Sequence, residues 1–222
     1  VSHLAAGISH ELNQPLAAIR SHAHNSAVLI ARGRMDEARA SLERIQGLTA
    51  RMAELIRHLK RFARRPAPTL EPVDLKAVVD GALSLFAQRL DEERVDVRLD
   101  FPDGPVTVEA EEIRLEQVVV NLVSNALDAL DGGEERRIAI GAEAKGGRVL
   151  LSVRDSGSGI DAEARAAVFD PFFTTKPAGL GLGLGLSMSY NIVKDFGGDL
   201  SLAETGPAGT TFVVDLAAAG QA

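Results

Sequence analysis

Cysteine is absent from the 222 residues, which excludes disulfides, thiolate zinc sites and cysteine nucleophiles. Tryptophan is absent too, and tyrosine occurs once, at Tyr190. A core must therefore be built mainly from Leu, Val, Ile and Ala. Hydrophobic residues make up 45% of the chain, an ordinary globular share, so a sizeable core is within reach. No apolar run approaches the roughly 18 residues of a membrane span and no signal peptide is visible, so the chain reads as soluble. The helical pattern is already under way at Val1-Ser2-His3-Leu4, which suggests a fragment of something longer.

Charge is unevenly spread. Residues 1–70 hold 11 Lys and Arg against 5 Asp and Glu, while residues 71–222 hold 13 against 26, and the whole chain is at −7. A basic helical half suits either an acidic partner, anionic lipid or simply a solvated Arg-rich face. The acidic second half argues against nucleic-acid binding.

Apolar residues recur at three- and four-residue steps from Leu4 to Ile30, which predicts one helix over 1–32. Gly33 breaks the pattern. Ala38, Leu42, Ile45, Leu48, Met52, Leu55, Leu59 and Phe62 then form a second seam, on a helix capped near Asp36. Two long helices with a short turn make an antiparallel hairpin. One hairpin cannot bury both stripes, whereas two hairpins paired as a four-helix homodimer can. Pro15 deletes a backbone N–H and frees the carbonyl of Glu11, so a local bend is expected beside His10.

Arg64-Arg65-Pro66-Ala67-Pro68 reads as a hinge. The chain is thus divided into a helical hairpin over 1–65, a linker over 66–72 and a second domain over 73–222. In that domain the pattern predicts a helix over 74–91 with Asp74 as N-cap, strands over 95–101 and 106–108, and an apolar helix over 111–130. A strand pair over 137–144 and 148–155 follows, joined at Gly146-Gly147. An irregular stretch runs to about 183. A helix over 184–196 and a closing hairpin over 199–204 and 210–216 complete it. Elements in this irregular order suggest an α/β sandwich with a mixed sheet.

Five segments carry chemistry. In Ser9-His10-Glu11-Leu12 a histidine stands beside a carboxylate, and imidazole is a nucleophile at neutral pH. Asn121, Asn125 and Asp128 lie at i, i+4 and i+7, on one face of the apolar helix. Polar groups there need partners: either neighbouring backbone or a hydrated Mg²⁺ carrying phosphates, since magnesium takes oxygen ligands and keeps waters. Asp155-Ser156-Gly157-Ser158-Gly159 follows a strand directly. A buried carboxylate at Asp155 can accept from an exocyclic amine such as that of adenine, and glycines let backbone approach a ring; a plain tight turn fits equally. Phe169-Asp170-Pro171-Phe172-Phe173-Thr174-Thr175-Lys176 clusters three of the eight Phe, as apolar anchors at the base of a lid or as a satellite cluster, with Lys176 reaching toward phosphate. Gly179-Leu180-Gly181-Leu182-Gly183-Leu184-Gly185-Leu186-Ser187 sets alternate glycines before a helix, where free N–H groups make an anion site. It matches neither the P-loop nor the Rossmann pattern.

In this order and spacing the segments resemble the H, N, G1, F and G2 boxes of the sensor histidine kinases, whose ATP-binding domain belongs to the GHKL superfamily (gyrase, Hsp90, histidine kinase, MutL). The resemblance covers essentially the whole chain. The wording from Glu11 to Ile19 and from Ser187 to Gly198 is similar to one subgroup, which contains the C4-dicarboxylate transport sensor kinases. It implies a dimeric four-helix phosphotransfer bundle followed by a GHKL-type α/β sandwich, in the cytoplasmic part of a membrane sensor whose spanning segments lie outside this chain. His10 would take the γ-phosphoryl group of ATP, with Glu11 accepting the ring proton or fixing the tautomer. Asn125 would be the Mg²⁺ ligand, flanked by Asn121 and Asp128. Asp155 would read the adenine amine, with Gly157 and Gly159 shaping that wall and Thr210 supporting Asp155 through a water. Lys176 and the loop of Gly181, Gly183, Gly185 and Leu186 would hold the phosphates. The phosphate would then pass to an aspartate of a response regulator receiver domain.

One departure is informative: the fourth residue after the histidine is Gln14, where most of the family has Thr or Asn. An amide can still align a water, so regulator dephosphorylation is expected to persist. His3, His22, His24 and His58 lack a partner motif, and His22 and His24 face different sides of a helix, which argues against a metal site. Two other readings compete. A nucleotide-gated binding module would not need the His10-Glu11 pair. A hydrolytic GHKL ATPase would carry a general-base Glu one turn before Asn125, where this chain has Asn121.

Overall fold

The computed structural model describes residues 2–63, 68–130, 135–176 and 183–220, with the backbone alone for 2–14, 51 and 53–63. The chain divides into two compact units, Val1–Arg65 and Pro66–Ala222.

The first unit is a hairpin of α1 (Ser2–Ala31) and α2 (Met35–Ala63). α1 stays helical through Pro15. Its end is closed by Gly33 N–H to Ile30 O (3.0 Å) and Arg34 N–H to Leu29 O (2.9 Å), the paired bonds of a Schellman turn. The expected cap at Asp36 is displaced. Arg34 O already accepts from Ala38 N–H (3.1 Å), so Asp36 and Glu37 sit inside the first turn, where their charge complements the helix dipole. Arg34 clasps Glu37 at 2.5 Å and draws the helix start back.

The hairpin turns polar groups inward. Ser26 and Ser41 are buried, and both hydroxyls donate to His22 O, at 2.8 and 3.2 Å. Leu16, Ile30 and Leu42, three of the predicted stripe residues, are instead 53, 49 and 47% exposed.

The second unit packs a layer of helices on a five-stranded sheet, with a separate two-stranded sheet beside it. Its elements are β1 (Glu71–Asp74), α3 (Leu75–Ser84), α4 (Ala87–Glu92), β2 (Asp96–Asp100), β3 (Thr107–Ala110), α5 (Glu112–Ala129), β4 (Arg137–Lys145), β5 (Arg148–Asp155), α6 (Ala162–Arg165), α7 (Gly185–Asp195), β6 (Asp199–Gly206) and β7 (Gly209–Ala217). The sheet order is β2-β4-β5-β7-β6. β2 and β4 run parallel and the other neighbours antiparallel, so the sheet is mixed. Period-two alternation along β4, β5 and β7 turns Ile138, Ile140, Val149, Leu151, Val153, Phe212, Val214 and Leu216 to the helices. α5 lies at the centre of that layer. Leu115, Val118, Val119, Leu122, Val123 and Leu127 are at most 1% exposed, and each contributes about 1.5–3 kcal/mol by burial.

Three expectations are corrected here. The helix over 74–91 is two helices, broken at Leu85-Phe86, with Phe86 at φ −106° and ψ 4°. Asp74 does cap the first, accepting from Lys76 N–H at 3.0 Å. Glu71 and Pro72, read as linker, are paired in β1 against β3, an edge position where proline costs no ladder bond. The stretch read as irregular holds the short α6.

Candidate functional site

Alternation along β5 makes Asp155 the last inward-facing residue of the strand, so its carboxylate is buried at 5% exposure. Gly157 N–H donates to Asp155 Oδ1 at 2.9 Å, and Thr210 N–H donates to the same oxygen at 3.2 Å. Burial pushes this carboxyl above the ordinary range, and the two N–H donors partly oppose the rise. No other described residue donates to Oδ2, which leaves that oxygen to accept from a ligand. Thr210 thus supports Asp155 directly through its main chain. The Thr210 hydroxyl instead lies 3.2 Å from Thr205 Oγ1, which also accepts from Ile160 N–H at 2.7 Å.

The glycines here answer first to the protein's own backbone. A Cβ on Gly157 would sit 2.4 Å from Ala129 O at the end of α5. Gly209, which the sequence reading passed over, has φ +116°, and a Cβ there would fall 1.8 Å from Asp155 O. Gly159 lies on the same loop, against Gly206.

α5 carries Asn121, Asn125 and Asp128 on its half-buried side, as the spacing predicts. Their surroundings differ. Asn121 Nδ2 donates to Gly185 O (3.3 Å) and Ser189 Oγ (3.1 Å), so this amide fastens the start of α7. Asn125 makes no side-chain hydrogen bond to any described residue, which leaves its oxygen available to a hydrated cation. Among the described residues no group of three His, Asp or Glu is placed to hold a metal ion. Asp128 pairs with two cations: Lys176 Nζ at 2.5 Å and Arg89 Nη2 at 3.0 Å.

Lys176 therefore stands on Asp128 here. Phe169 is the anchor of its segment, with its ring 5.4 Å from Tyr190 and edge-on to Phe212 at 6.2 Å. Phe172 N–H donates to Gly183 O at 2.9 Å and ties this segment to the glycine-rich one. Gly183 precedes α7, Gly185 opens it, and Leu186 packs on the core. The cap position, Leu184, offers no side-chain hydrogen bond, so the first N–H groups of α7 are left for an anion. Gly181 lies outside the described residues.

His10 and Glu11 are neighbours on the backbone of α1, and Gln14 follows about one turn later. Their side chains lie outside the described residues.

Sequence reasoning missed Arg89, Glu93, Thr205 and Gly209. Arg89 and Glu93 show an i,i+4 pair, bonded at 2.7 Å, but nothing in the sequence ties that pair to Asp128. Burial of Asp155 by Gly209 is likewise a tertiary fact.

The buried carboxylate at the end of β5, the amide of Asn125 on α5 and the start of α7 all lie in a unit with the GHKL-type ATPase fold. The chain belongs to the histidine kinase-, DNA gyrase B- and HSP90-like ATPase family, whose model matches residues 110–220. Residues 1–68 match the His Kinase A phospho-acceptor domain. The C4-dicarboxylate transport sensor protein DctB of Rhizobium meliloti (strain 1021) is 41% identical over 216 residues, covering 97% of this chain and 34% of that protein. DctB of Pseudomonas aeruginosa is 45% identical over 200 residues, covering 90% and 33%. The chain thus spans about a third of the length of these relatives. Among solved structures, the histidine kinase ThkA in complex with the response regulator protein TrrA superposes with a TM-score of 0.75 at 25% identity, covering 97% of this chain and 61% of that one. These relatives bear out the sensor-kinase resemblance and its subgroup.

Proposed function

We propose that this chain is the autokinase core of a two-component sensor, phosphorylating His10 from ATP and passing the phosphate to a response regulator aspartate. The observation that carries the reading is Asp155: buried, with one oxygen tied by two main-chain N–H groups and the other accepting from no side chain of the described residues. That arrangement suits an adenine amine.

His10 attacks the γ-phosphorus through a ring nitrogen. The N–P bond forms as the bond to the β–γ bridging oxygen breaks, and ADP leaves. Glu11 takes the proton of the other ring nitrogen or holds the tautomer. Asn125 would hold a hydrated Mg²⁺, which when bound neutralises phosphate charge. Lys176 and the start of α7 supply further positive potential, so catalysis is mainly positioning and charge neutralisation. Asn121 supports transfer over hydrolysis: its amide is occupied by α7 and cannot activate water. The phosphoryl group then moves to a receiver aspartate, the N–P bond breaking as an O–P bond forms. Gln14 aligns the water that later removes it.

The exposed Leu16, Ile30 and Leu42 support a homodimer paired through the hairpins. No described helix is long and apolar enough to cross a membrane. Relatives are named as transport sensor proteins, and on the resemblance we place this chain on the cytoplasmic side of such a sensor.

Incubation with γ-labelled ATP and Mg²⁺ tests the reading. Acid-labile, base-stable label on the protein, lost in His10→Gln, is the expected result. Label that survives in His10→Gln overturns it.

A further inference from the structure

Three cations and two carboxylates from separate segments form one chain at the mouth of the site. Lys176 Nζ sits 2.5 Å from Asp128 Oδ2, and Arg89 Nη2 sits 3.0 Å from Asp128 Oδ1, so each oxygen has its own cation. Arg89 Nε is bonded to Glu93 Oε1 at 2.7 Å, one turn along α4, and Glu93 Oε2 pairs with Arg136. Glu93 is the main cause of a raised Arg89 pKa, with Asp128 adding to it, and Arg89 holds Glu93 below the ordinary carboxylate range.

We infer that Arg89 is a positioning residue that lets Lys176 leave Asp128 for the phosphates of the nucleotide. This rests on the reading of Lys176 as a phosphate ligand. Asp128 is only 28% exposed, so losing its sole counter-ion would leave a poorly hydrated carboxylate behind. Arg89 removes that cost. It stays on Oδ1 when Lys176 departs from Oδ2, and while both are bound it draws off part of the carboxylate charge and loosens the grip on Lys176. A guanidinium can serve two carboxylates at once through its fixed fork of donors, which a lysine ammonium does less well. Glu93 pins Arg89, so Arg89 does not follow to the phosphates. α4 thereby tunes nucleotide binding without touching nucleotide.

The test is MgATP affinity by titration calorimetry, and KM and kcat of autophosphorylation, for Arg89→Gln, Arg89→Lys, Lys176→Ala and the double variant Arg89→Gln/Lys176→Ala. Arg89→Gln is expected to weaken ATP binding about three-fold, the size of a partly exposed ion-pair interaction, with the effect on KM rather than kcat. Arg89→Lys restores part of it. In the Lys176→Ala background Arg89→Gln has no further effect, because the hand-over no longer exists. Unchanged or tighter binding in Arg89→Gln overturns the inference. So does an equal loss with and without Lys176, which would place Arg89 in the general field or the fold. If Lys176→Ala itself binds ATP like the parent chain, the phosphate-ligand reading of Lys176 fails, and this inference with it.

Discussion

Thr210 donates its main-chain N–H to Asp155 Oδ1 at 3.2 Å, bringing β7 onto the end of β5 at the point where a nucleobase would be read. With Gly157 N–H on the same oxygen, a proton taken up by Asp155 goes to Oδ2. Two opposite pH trends follow. Burial raises the Asp155 pKa above its unfolded value, so its share of stability is full below about 3.9 and is lost as pH rises through the folded value. Nucleotide binding needs the ionised form and weakens as pH falls through that same raised value. Titrations from about pH 4 to 7 should show binding failing above the ordinary aspartate range. Asp155→Asn should remove this residue's slope from the unliganded protein's stability. It should also lose about 1–3 kcal/mol of ATP affinity, because the amide then presents a donor to a donor.

Gly209→Ala should be among the most damaging small substitutions in the second unit. The new Cβ meets Asp155 O at 1.8 Å and φ +116° is hostile to any side chain, so a loss of about 3 kcal/mol or more is expected. Thermal denaturation checks it, with Gly104→Ala as comparison. Gly104 has similar backbone strain (φ +103°) but open space around it, and should cost less.

Thr205→Val removes the acceptor of Ile160 N–H and one side of the hydroxyl pair with Thr210. About 1–3 kcal/mol should be lost, and Thr205→Ser should recover most of it. Chemical denaturation of the three proteins distinguishes these outcomes.

Gln14→Ala should slow dephosphorylation of the phosphorylated regulator while leaving His10 labelling within about two-fold, since a general positioning contribution is separable from nucleophilic attack. The check is release of inorganic phosphate from the phospho-regulator with ADP present. Unchanged release would remove Gln14 from the mechanism.

Leu16→Glu and Leu42→Glu should each shift the chain toward monomer. Each removes a leucine worth about 1.5–3 kcal/mol on burial and places a charge in the seam. Sedimentation equilibrium measures the shift.

Much of this was legible because it is local. The alternation of Val149, Leu151, Val153 and Asp155 points all four inward, and the i, i+4, i+7 spacing puts Asn121, Asn125 and Asp128 on one face. Asp74 reads as a cap and is one. What was not legible depends on distant partners. Leu85-Phe86 offers no Gly or Pro to announce a break, so packing of Phe86 on the core decides it. Lys176 reads as a phosphate group by motif, yet its counter-ion here comes from α5, far along the chain. Glycine is needed at 209 both for its φ of +116° and because β7 meets the end of β5, and the second reason is invisible in the sequence.

In the hairpin Ser26, Ser41 and His22 meet between the helices, while Leu16 and Leu42 are exposed. Paired as proposed, such a unit would take part of its stability from mass action. Its melting temperature should climb with protein concentration, and dilution should lower it as surely as a destabilising mutation does. Under the proposed pairing a scarce chain is a less folded chain, and labelling of His10 per chain should fall on dilution.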